Sequence, residues 1–129
     1  MMRVVLLESV IQDGDRVLFT AEGGRGIASW RGDGAQVAGV AVDVEVEVHE
    51  EIDWSEIVVD PQPGTIVDVL DQAMVFRGVV EDLDKDGVLT LRFGSGIVLV
   101  DTTGEAPLGV VGRDVSLTVR DIEIYPTGV

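Results

Sequence analysis

DVEVEV, residues 43–48, decides the fold class. Val44, Val46 and Val48 alternate with Glu45, Glu47 and His49. A period of two puts the valines on one face of an extended strand and the polar residues on the other. DVSLTV (114–119) repeats the pattern with Val115, Leu117 and Val119. Working outward, strands are expected at about 3–11, 16–21, 26–30 and 37–48, then at about 75–82, 88–93, 96–101, 114–120 and 122–125. Valine accounts for 25 of the 129 residues and glycine for 16, which favours β-structure joined by tight turns.

The two sets of strands resemble each other. GIASWRGDGAQVAGV (26–40) lies over GIVLVDTTGEAPLGV (96–110), so that Gly26, Gly34 and Gly39 meet Gly96, Gly104 and Gly109. After one inserted residue, DVEVEV lies over DVSLTV and Trp54 over Tyr125. An internal duplication is expected, giving an all-β chain of two tandem small OB-like barrels. The first unit is read as 1–54, a Pro-containing connector as 55–73, and the second unit as 74–129. In the connector, Pro61, Pro63 and Gly64 break the chain. Thr65 followed by Asp68 reads as a helix start, with Ile66, Val69, Leu70 and Ala73 on one face. The rival for that segment is a strand over TIVDVL.

FRGVVEDLDKDGVLTLRFGSG and VGRDVSLTVRDIEIYP resemble a TOBE-type OB-fold domain, over roughly residues 74–126. Such domains end the ATP-binding subunits of bacterial importers and form molybdate-binding proteins. The resemblance implies a small barrel that takes a small oxyanion or contacts a partner domain. No Walker sequence occurs, so an ATPase portion is absent from these residues.

Composition narrows the function. The chain is 46% hydrophobic and 26% charged, as a folded globular protein should be. Its net charge of -15 opposes nucleic acid and anionic membranes. A basic protein or a divalent cation is the electrostatic complement. Self-association through an unpaired edge strand is the other route to a partner. With no cysteine there is no disulfide, thiolate ligand or cysteine nucleophile. Glu8 and Ser9 interrupt the short apolar run at the start, so a bacterial cytoplasmic location is expected.

The candidate chemistry centres on EDLDKDGVLTLRF (81–93). Asp82, Asp84, Asp86 and Gly87 match positions 1, 3, 5 and 6 of a calcium loop. Position 12 is Phe93 instead of a bidentate glutamate, and the flanks read as strands. A β-hairpin turn is therefore preferred, with Asp82, Asp84 and Asp86 as the metal candidates. Glu22–Gly26 lacks the helix and the Lys-Ser/Thr pair of a phosphate loop. Arg31-Gly32-Asp33 reads as a turn. His49, the single histidine, falls on the polar face of its strand beside Glu47 and Glu51. No constellation supports a reaction. The expectation is a non-enzymatic binding or interaction module with no cofactor, and the alternatives are an oxyanion binder and a weak calcium binder.

Overall fold

The computed structural model describes residues 2–32, 35–94 and 96–127. Strands dominate, and among the described residues the helical structure is a single 3-10 turn, Trp54–Glu56. Strands β1 (Met2–Leu6), β2 (Arg16–Ala21), β3 (Gly24–Trp30) and β4 (Ala41–Val48) follow one another. Then come β5 (Glu51–Asp53), β6 (Val58–Val59), β7 (Val67–Leu70) and β8 (Ala73–Leu83). The chain finishes with β9 (Val88–Phe93), β10 (Gly96–Thr103), β11 (Asp114–Val119) and β12 (Ile122–Pro126).

Alternation fixes which face is buried. In β1, Met2, Val4 and Leu6 point inward and Arg3 and Val5 outward. In β10, Val98, Val100 and Thr102 are buried while Ile97, Leu99 and Asp101 are exposed. Phe76 of β8 and Phe93 of β9 meet edge to face, with ring centroids 5.0 Å apart. One contiguous core runs through both sets of strands.

The first set closes as a barrel in the order β1-β2-β3-β12-β4. The second forms a curled sheet, β5-β10-β9-β8-β11-β6, with β7 also paired to β8. The assignment of the short strands is the notable point. β12 follows β11 in the chain, yet it lies parallel to β3 and antiparallel to β4 in the barrel. β5 follows β4, yet it lies parallel to β10 in the other sheet. Each set thus receives the strand that the chain makes directly after the other set's fourth long strand. The two crossovers are stitched together. Glu50 Oε1 accepts from Arg120 N at 2.5 Å and from Asp121 N at 2.8 Å, and His49 N donates to Asp121 O at 2.8 Å. Residues 122–126 therefore share their barrel with residues 2–48, across the boundaries at 54 and 74 read from the sequence.

Three local expectations change. The first strand stops at Leu6 and does not run to residue 11. Leu7 N still reaches Leu18 O, but Leu18 N turns to the Glu8 carboxylate, which ends the ladder. The fourth strand starts at Ala41, because Gly39 (φ +91°) makes a turn just before it. Residues 65–73 are not helical. Val67–Leu70 pairs with Ala73–Phe76 through a two-residue turn at Asp71 and Gln72, both at positive φ (50° and 63°). That is type I′ hairpin geometry carried without glycine.

Candidate functional site

β4 and β10 run close to each other where the barrel meets the curled sheet. Between them lies an open groove of about 580 Å³. Its apolar lining comes from Val46 and Val48 of β4, Val88 of β9, and Ile97 and Leu99 of β10. Ile97 is 43% exposed and Leu99 58%, although both sit mid-strand. They are the outward residues of an alternating strand, and on that face a polar residue would normally stand. The remaining lining is Glu45, Glu47, Asp101 and His49, with no basic residue apart from the imidazole.

One end of this groove carries a polar cluster. β12 pairs with β4 so that Glu123 stands directly opposite Glu47. His49, two residues on from Glu47, shares the same face. His49 Nε2 lies 2.5 Å from Glu123 Oε1 and 3.4 Å from Glu47 Oε2. Tyr125 OH donates to Glu123 Oε1 at 3.0 Å. Arg31 Nε contacts Glu123 Oε2 at 3.0 Å, and Arg31 NH1 contacts Asp13 Oδ2 at 3.1 Å. Partial burial raises the Tyr125 phenol above its ordinary value near 10.0, helped by its bond to Glu123 and the charges of Glu123 and Glu47. Among the described residues, Glu47, His49 and Glu123 offer ligand atoms that all lie within 4.8 Å of one another.

The acidic turn is built as a hairpin. β8 and β9 flank it, with a bulge between Val80 and Asp82. Asp84 Oδ1 accepts from Asp86 N at 2.8 Å and Val88 N at 3.0 Å. Val88 O, the carbonyl a calcium loop would present at position 7, accepts from Asp84 N at 3.1 Å. Gly87 O accepts from Thr102 N at 2.8 Å and Thr102 Oγ1 at 2.6 Å, and Trp54 Nε1 donates to Thr102 Oγ1 at 3.1 Å. Two of the groups a calcium ion would use are thus engaged inside the turn. Trp54 is buried and braces the turn from the far side.

The other singled-out residues fall into place. Glu22 and Gly23, both at positive φ, form the tight turn between β2 and β3. Gly24 sits where an added Cβ would lie 1.9 Å from Val67 O, so the barrel and the β7 hairpin touch there. Arg31 serves the Glu123 network, and Asp33 lies outside the described residues. Glu51 belongs to β5 and pairs with Asp101, away from the His49 cluster that the sequence had suggested for it.

A second cleft, of about 490 Å³, opens where β9 gives way to β7 along β8. Arg77 and Arg92 line it, with Gly64, Gly78 and Asp114. Arg77 NH1 donates to Thr65 O at 3.1 Å, and its buried Nε has no hydrogen-bond partner. Arg92 pairs with Glu81 at 2.6 Å.

Among the described residues, no helix is long and apolar enough to cross a membrane. No family model, curated protein or solved structure matches this chain.

Proposed function

We propose that the chain is a non-enzymatic protein-interaction module that takes a basic, apolar segment of a partner in the groove between β4 and β10. The observation that carries this reading is the pairing of exposed Ile97 and Leu99 with a rim of Glu45, Glu47 and Asp101. Apolar side chains that remain uncovered on a strand favour an occupant by the area it removes from water, about 25 cal/mol per Å². The rim decides which occupant. Three carboxylates on a chain of net charge -15 repel acidic segments and attract lysine or arginine. A segment alternating basic and apolar residues would satisfy both, its cations reaching the rim and its apolar side chains covering Leu99.

The strand order of the barrel supports an OB-like architecture, in which a five-stranded closed β-barrel presents one strand face for binding. The paired arrangement of β1–β4 and β8–β11 likewise supports a duplication of one β-unit. The TOBE resemblance spans roughly residues 74–126, whose strands β8–β11 form the curled sheet while β12 joins the barrel. Domains of that type contact partner domains, in keeping with an interaction role.

A synthetic peptide alternating lysine and leucine tests the reading. It is expected to bind with an affinity that falls as salt rises, and Leu99→Asp or Glu47→Lys should each weaken it about tenfold. A lysine–serine peptide of the same charge should bind much more weakly. Equal binding of both peptides, or none of either, rules the groove out.

A small oxyanion in the Arg77–Arg92 cleft is the second reading, favoured by the unpartnered Arg77 Nε and by the TOBE resemblance. Asp114 in the lining and the engaged guanidinium groups weigh against it. Molybdate and sulfate should then raise the melting temperature of the intact protein and not of Arg92→Gln.

A further inference from the structure

Glu47 and Glu123 are directly opposed cross-strand partners. Like charges in that position destabilise a sheet unless a cation lies between them. Arg31 reaches Glu123 from one side but divides its charge with Asp13. On the other side stands His49, whose Nε2 faces both carboxylates. We propose that Glu47, His49 and Glu123 bind a borderline divalent metal ion such as Zn²⁺, with the fourth position open to water.

The donor set selects the metal. One imidazole nitrogen with two carboxylate oxygens suits zinc and its neighbours, whereas calcium and magnesium prefer all-oxygen shells. The spacing also fits. A tetrahedral ion with bonds of about 2.1 Å holds its ligand atoms about 3.4 Å apart. His49 Nε2 and Glu47 Oε2 are already at 3.4 Å. His49 Nε2 and Glu123 Oε1, at 2.5 Å, must separate by about 0.9 Å to admit the ion. His49 and Glu47 are exposed, so small side-chain rotations suffice.

The outer shell is in place. Arg31 and Tyr125 hold Glu123 by its two oxygens, the arrangement that orients a ligating carboxylate. The His49 main chain is pinned by its bond to Asp121 O. The acidic turn offers no comparable set, since Asp84 Oδ1 already accepts two backbone N–H groups. The cluster depends on the strand crossover, because only β12 lying in the barrel brings Glu123 beside Glu47.

Chelator-treated full-length protein titrated with zinc by calorimetry tests the site, with cobalt absorption as the readout of nitrogen ligation. Saturable binding of one zinc per chain is expected, and cobalt should give visible bands that disappear in His49→Ala. His49→Ala and Glu47→Gln should each weaken zinc by at least about tenfold, and Asp84→Asn should leave it unchanged. Glu47→Gln should keep or raise the wild-type melting temperature when metal is absent, because it relieves the like-charge pair. A loss of zinc affinity of about tenfold in that variant therefore separates lost ligation from lost folding. The proposal is overturned by an absence of zinc binding at about 1 mM, by a loss under tenfold in His49→Ala, or by calcium binding more tightly than zinc.

Discussion

Ile124→Ala probes the strand crossover at its centre. Ile124 is fully buried in β12, pairs with Val46 of β4, and stands beside Trp30 of β3. Truncating a buried isoleucine to alanine costs about 2–5 kcal/mol, from lost transfer energy and the cavity left behind. A value near 3 kcal/mol is expected here, because a closed barrel has little freedom to collapse around the gap. For 129 residues the unfolding entropy is about 0.27 kcal/mol/K, so the melting temperature should fall by about 11 °C. Two tryptophans allow each set of strands to be watched separately. Trp30 lies in the barrel, and Trp54 lies between β5 and β6 of the curled sheet. With Trp54→Phe as background, urea unfolding followed by Trp30 should shift by the full amount. In the complementary Trp30→Phe background Trp54 becomes the probe. A loss seen there, with no change at Trp30 in the first background, would refute the crossover, since β12 would then belong with β11. The chain has no cysteine, so Ser29→Cys with Glu123→Cys gives a clean geometric control. These residues are register partners in the parallel β3–β12 pair and should cross-link on oxidation.

Other expectations follow from single contacts. Asp84→Ala should destabilise the protein by about 1 kcal/mol by freeing two backbone N–H groups of the turn, and the loss in urea unfolding should be the same with and without calcium. Gly24→Ala should destabilise strongly, because its Cβ would meet Val67 O at 1.9 Å, whereas Gly23→Ala meets no atom within 4 Å and should cost only about 1 kcal/mol for its positive φ. Bonds from Ser55 and then Thr103 hold the Asp53 carboxyl below its ordinary 3.8, and the bond from Arg113 does the same for Asp60. A depressed folded value means that the stability is present above the unfolded value and is lost as pH falls through the folded one. Thermal melts below about pH 4 should therefore fall less steeply in Asp53→Asn than in the wild type.

The long strands were legible because each alternates on its own. Arg16–Ala21 and Val88–Phe93 have the expected bounds, with Val17 and Phe19 or Leu89 and Leu91 at the buried alternate positions. The β7 hairpin was hidden because its turn is Asp71-Gln72, with no glycine to mark positive φ, while Thr65 and Asp68 mimic a helix start. β5 and β6, at three and two residues, are too short for periodicity to register. The crossover was invisible for a different reason. Local pattern identifies a strand but not its neighbours, and the parallel β3–β12 pair joins residues far apart in the chain. The candidate site divides the same way. Glu47 and His49 could be placed on one exposed face from the period of two alone. Glu123, Arg31 and Tyr125 could not be joined to them, because only the crossover brings β12 against β4. The outward positions of Ile97 and Leu99 followed from alternation, but the apposition of β10 to β4 that makes them a groove is tertiary.

The most direct test of the account is a residue-resolved map of where a basic, apolar peptide binds. Amide shifts of the ¹⁵N-labelled protein, titrated with the lysine–leucine peptide, should change most at residues 45–49 and 97–101. In Leu99→Asp they should all require about ten times more peptide. Shifts concentrated instead around Arg77 and Arg92, or spread evenly over the acidic surface, would contradict the groove between β4 and β10 as the binding site.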